Sequence, residues 1–158
     1  MDLNNAYAPP QPAAVVAPDD PMLIEARALR VAGGLLLAGA LVNAISTIAL
    51  NTTAVRATYS SGWMSILFDL WIGGSLVAGR FRVRTWAIIR ASLGALLFGG
   101  GALVGGNVAS GVITLVSCGA ILLLVVPRAT RLRTIVGAAA YGLVLLLSIV
   151  GLAFAGRG

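Results

Sequence analysis

The chain has no histidine, no lysine and a single cysteine, Cys118. Without the first two there is no imidazole base, no Schiff-base amine and no histidine metal ligand. A lone cysteine forms no internal disulfide and leaves the redox compartment unread. Acids are also scarce. Of the five, Asp2, Asp19, Asp20 and Glu25 precede the first apolar run, and Asp69 alone lies beyond it. One acid among the apolar segments excludes a paired-carboxylate or two-metal centre within one chain. The expectation is a protein that is not an enzyme, with no catalytic, cofactor-binding or metal-binding residues and no cofactor.

What is present is apolar. Hydrophobic residues make up 59% of the 158 and charged ones 10%, too few to clothe a water-soluble domain of this size. The first thirty residues carry acids and prolines, and the apolar run after them is too long for the core of a secretory signal peptide. Every basic residue is arginine, which with abundant Ala, Gly and Val points to a GC-rich, bacterial genome and so to a bacterial inner membrane.

A helix crosses the roughly 30 Å hydrocarbon layer in about 20 residues. The apolar runs predict an all-α integral membrane protein, a bundle of five transmembrane helices at about 31–50, 60–79, 86–105, 108–127 and 135–155. The stretch from Trp86 to Val126 is twice one membrane thickness, so it must fold back, and "GGN" at 105–107 is the available turn. Residues 21–158 then form the transmembrane domain. The proline-rich tail 1–20 is expected to be disordered and cytoplasmic. "DDPMLIEARALR" reads as a helix start, with Asp20 as N-cap and Pro21 in the first turn, continuing as a cytoplasmic extension of the first span. "NTT" at 51–53 matches a glycosylation acceptor only formally.

Five crossings gather the arginines. Arg27 and Arg30, the turn Arg80, Arg82 and Arg84, the turn Arg128, Arg131 and Arg133, and Arg90 fall toward one side; only Arg56 and Arg157 fall on the other. By the positive-inside rule the N-terminus is cytoplasmic and the C-terminus outside. Tyr59, Trp63, Phe81 and Trp86 suit the interfacial aromatic belts.

Two motifs recur at one offset. "SGWMS" at 61–65 and "SGVIT" at 110–114 lie 49 residues apart, as do "RVRT" at 82–85 and "RLRT" at 131–134. They suggest one helix followed by two parallel hairpin repeats, with Asp69 opposite Cys118. Selection for basic turns and small residues is the simpler account.

An ionised Asp at mid-membrane costs on the order of 2.5–3.5 kcal/mol, so Asp69 needs company, or a neutral acid is the cheaper state. Counted at about 1.5 Å per residue, Asp69 lies roughly 15–17 Å from the basic end. Asn43, Ser117, Cys118 and, less closely, Tyr141 come out at similar depths on three other spans. Ser65, Asp69 and Gly73 share one helix face; so do Gly39, Asn43 and Thr47, and Ser110, Thr114 and Cys118. A fourth stripe holds Arg90, Gly94, Gly101 and Gly105. Arg90 is the one charged candidate partner among the spans, and snorkelling to lipid phosphates competes with pairing to Asp69.

These features predict a small polytopic protein serving as a structural or accessory subunit, joining itself or another protein through Gly-rich helix faces. The alternative is a small transporter or proton- or ion-coupled permeation subunit using Asp69. Anionic headgroups are expected against the basic turns. Nucleic acid is not an expected partner, because topology already accounts for the arginines.

Overall fold

Asp20 accepts a hydrogen bond from the Met22 backbone N–H at 2.8 Å, and helix α1 begins at the next residue, as the Asp–Pro pattern predicts. The structure, a computed structural model, describes residues 20–50 and 60–155. The tail 1–19, the Asn51 motif, Arg56, Tyr59 and Arg157 lie outside them.

Five helical segments account for these residues, and no strand occurs among them. They are α1 (Pro21–Leu50), α2 (Ser60–Val77), α3 (Phe81–Val104), α4 (Val108–Val125) and α5 (Arg131–Ala155). Helices α1, α3, α4 and α5 are long and apolar enough to cross a bilayer, while the apolar stretch of α2, Trp63–Val77, is shorter. α1 runs for 30 residues, about 45 Å, so the predicted extension and the span are one continuous rod. α3 and α5 start before the hydropathic boundaries at 86 and 135. Arginine is a good helix former, so hydropathy marks the edge of the apolar layer rather than the helix start.

Large apolar side chains such as Leu41, Leu96, Leu132 and Leu146 are exposed, while Asp69 and Thr47 are buried. This distribution is compatible with a hydrocarbon surround.

α1 and α2 run antiparallel in backbone contact. A Cβ on Gly33 would stand 2.7 Å from the Gly73 carbonyl oxygen, and one on Gly73 would stand 2.8 Å from that of Gly33. Nothing flexible is there to yield. Gly33→Ala is therefore expected to destabilise the bundle by about 1–3 kcal/mol through overpacking. Gly34→Ala, with open space around it, is expected to stabilise by up to about 1 kcal/mol through helix propensity. Unfolding in mild detergent measures both, and equal effects would remove the seam from the argument.

α3 is not uniform. A 3-10 turn (Phe81–Val83) leads into an α-helical stretch (Arg84–Leu93), then a π-helical stretch (Gly94–Gly100) and a last α turn. The π turn changes which face is buried. Gly94 and Gly99, five residues apart, are buried, whereas Gly101 and Gly105 are exposed. The stripe Arg90–Gly94–Gly101–Gly105 assumed α-helical spacing and breaks where i→i+5 bonding replaces it.

α4 packs between α3 and α5, and α1 packs against α2, α4 and α5. α2 and α3 are consecutive, yet their backbones approach only near their shared turn, whereas α4 and α5 pack closely. The two hairpins proposed as repeats are thus packed differently, although α2 and α4 are both 18 residues long. Side chains bridge the α2–α3 gap: Phe68 meets Trp86 edge-on at 6.2 Å, and Arg90 reaches Asp69 and Ser65.

The start of α1, the start of α3 and the end of α4 meet at one end of the bundle. Arg84 ties them, its Nη1 to Glu25 and its Nε to the Val125 carbonyl. The arginines of all three basic segments therefore cluster at that end. The buried core lies beside them, built from Leu29, Ile72, Leu76, Leu124 and Val125, with Phe81 packed against it.

Candidate functional site

Gly73 holds one face of α2 against α1, and Asp69, one turn earlier on that face, is carried inward to 7% exposure. Its Oδ2 accepts a hydrogen bond from Arg90 Nη2 at 3.2 Å, and the same Nη2 donates to Ser65 Oγ. Asp69 Oδ1 is buried with no hydrogen-bond partner.

Arg90 therefore turns inward rather than snorkelling. Inward it compensates a buried carboxylate and gains a hydroxyl acceptor, whereas extension to the phosphates would leave Asp69 alone in an apolar interior. Gly94 makes the room: a Cβ there would stand 3.0 Å from both Arg90 Nη1 and Cys118 Sγ.

Around this pair lies a cavity of about 390 Å³ lined by all five helices. Asp69, with Asn43, Ser117, Cys118 and Tyr141 that the sequence sets near its depth, and Arg90, its candidate partner, all line it. Asn43 is exposed as a residue, so it stands at the rim. Tyr141 carries its hydroxyl over Gly39, where any side chain would collide with it. Leu36, Ala87, Ala91 and Ile121 belong both to the lining and to the core, and close the cavity toward the arginine end.

Ser65 and Ser148 also line the cavity and escaped the depth argument. In the sequence Ser65 reads only as a small residue on the Asp69 face. Ser148 lies seven residues, two helical turns, beyond Tyr141, a spacing that would have placed it on the same face.

The hydroxyls have a common bias. Thr114 donates to the Ser110 carbonyl at 2.9 Å, Ser117 to Ile113 at 2.7 Å and Ser148 to Val144 at 2.9 Å. With those protons committed to their own helices, these oxygens offer the cavity lone pairs only. The lining is thus rich in acceptors, with Arg90 as its charged donor.

Arg84 is the other departure from expectation. The sequence placed it among the solvated basic turns with Arg80, Arg82, Arg128, Arg131 and Arg133. Those five are exposed, but Arg84 is partly buried, and its Nη2 is buried without a partner. Its bond to the Val125 carbonyl caps the end of α4, where the unsatisfied carbonyls favour a cation. Its acid, Glu25, stands 59 residues away in sequence, beyond the reach of any local pattern.

No group of three or more His, Cys, Asp or Glu side chains suited to a metal ion occurs among the described residues. Comparison with protein-family models, curated proteins and solved structures yields no match, so a functional reading rests on the site itself.

Proposed function

We propose that the chain is a small multi-pass protein of a bacterial inner membrane that admits a small polar solute to the Asp69 cavity, as a transporter or permeation subunit. The observation that carries this reading is a buried, unpartnered oxygen on Asp69, a residue that lines a cavity of about 390 Å³. That volume falls within the roughly 300–1,000 Å³ of small-molecule sites. A purely structural acid would be expected to have both oxygens satisfied.

In this reading all five helices cross the bilayer. The 18 residues of α2 reach about 27 Å, close to the hydrocarbon thickness. The arginine end faces the cytoplasm and anionic headgroups, the N-terminus is inside and the C-terminus outside. The cavity lies at the middle of the bundle and, closed toward the arginines, is filled from outside.

The test is reconstitution into vesicles and uptake of a panel of radiolabelled small polar metabolites. Asp69→Asn is expected to cut flux at least about tenfold, the equivalent of one lost charge-assisted hydrogen bond, with yield and detergent behaviour retained. Equal flux in the variant, or no flux under any gradient, argues against the reading.

A second reading, an accessory subunit, has its own support. Gly34, Gly74, Gly119 and Gly142 have open space above them, so another helix can approach closely there. Crosslinking in mild detergent tests it, and a strictly monomeric, partner-free protein speaks against it.

A further inference from the structure

The reading above leaves the solute unspecified, and the chemistry of the lining narrows it. Asp69 and Arg90 sum to zero charge, so a lone cation or anion entering the cavity would bring an uncompensated charge into a low-dielectric interior, at a cost of several kcal/mol. A net-neutral ligand avoids that cost. Both described bonds of Arg90 are made by Nη2, which leaves Nε and Nη1 as donors. Asp69 Oδ1 is an unfilled acceptor. Unbonded donors on Arg90 and an unfilled acceptor on Asp69 thus belong to two oppositely charged residues that line the same cavity. Thr114, Ser117 and Ser148 add only lone pairs, which suit a donor such as ammonium. The remaining wall is apolar, with Val42, Phe98, Ile113 and Leu145 prominent.

We propose that the cavity binds a small zwitterion with an apolar side chain, an amino acid of the leucine class. Its carboxylate sits on the free Nη1 of Arg90, and its ammonium on the Asp69 carboxylate, whose buried Oδ1 is brought to the cavity by a turn about the Cβ–Cγ bond. The ligand completes a set of alternating charges and covers the apolar wall with its side chain. The proposal rests on the cavity reading above and deepens it.

Cys118 is the chain's one cysteine, lines the cavity and is half-buried, so it reports occupancy without an engineered residue. The full-length protein in vesicles is treated with a small uncharged methanethiosulfonate, alone or with one of four probes. These are leucine, isoamylamine (no carboxylate), isocaproate (no ammonium) and isoamyl alcohol (uncharged). Modification of Cys118 is expected, with leucine slowing it about ten- to a hundredfold more than any other probe, as loss of one charge-assisted hydrogen bond implies. In Asp69→Asn, leucine is expected to protect no better than isocaproate does in the wild type. The probe series on the wild type stands without that variant, should it fail to fold.

Equal protection by isoamylamine makes this a cation site and overturns the proposal; equal protection by isoamyl alcohol reduces it to apolar filling and does the same. If Cys118 reacts but no probe protects it, the zwitterion falls while the open cavity stands. If Cys118 reacts only after denaturation, cavity and zwitterion fall together.

Discussion

Replacing Arg90 with Met is expected to destabilise the bundle by about 3–5 kcal/mol, and adding Asp69→Leu is expected to restore most of that loss. The single change strands a carboxylate that is 7% exposed, with Ser65 as the polar neighbour left on its own helix. The double change leaves an apolar pair on the same seam, which carries no charge to desolvate. The magnitude exceeds the 1 kcal/mol or so usual for an interhelical polar bond in a membrane, because the loss is dominated by the uncompensated buried charge rather than the missing contact. Geometry raises the stakes. α2 and α3 approach closely only near their turn, so the Arg90 side chain is one of the ties across the gap beside the cavity. Unfolding of the four members of the cycle in bicelles measures the coupling. Additive losses would mean that the two residues act independently, and both the tie and the zwitterion site would lose their basis.

The parts of this arrangement legible in the sequence are those governed by local rules. Asp20–Pro21 marks a helix start because the cap is made within two residues. Asn43, Ser117, Cys118 and Tyr141 could be set near the level of Asp69 because helical rise converts residue number into depth. Depth, however, says nothing about azimuth. The sequence leaves the direction of Arg90 open because both outcomes satisfy the same side chain, and the choice depends on Gly94 leaving space on a neighbouring turn. The α3 stripe failed because one π turn shifts every later position. In the sequence Arg84 reads as a topological signal because the Glu25 it meets is brought near only by the packing of α1 and α3 against α4.

That last contact carries the remaining prediction. α3 supplies two arginines, and each holds an acid of the α1–α2 pair: Arg90 at mid-bundle, and Arg84 at the basic end. Arg84→Met removes the Glu25 pair and the Val125 carbonyl bond together, and is expected to cost about 1.5–3 kcal/mol. Glu25→Gln keeps the carbonyl bond and should cost less. The clamp is not a pure gain, since Arg84 Nη2 is buried without a partner and its desolvation offsets part of what the other two bonds contribute. A closure so balanced can open at modest cost. With it released, α1–α2 is free to tilt from α3–α4, and the seal formed by Leu36, Ala87, Ala91 and Ile121 lies along that line. In Arg84→Met, a charged thiol reagent supplied on the arginine side is expected to modify Cys118 at least about tenfold faster than in the wild type, the equivalent of about 1.4 kcal/mol less to open the path. If Arg84→Met lowers stability yet leaves Cys118 shielded from that side, Arg84 is a staple between helices and the passage ends at the core.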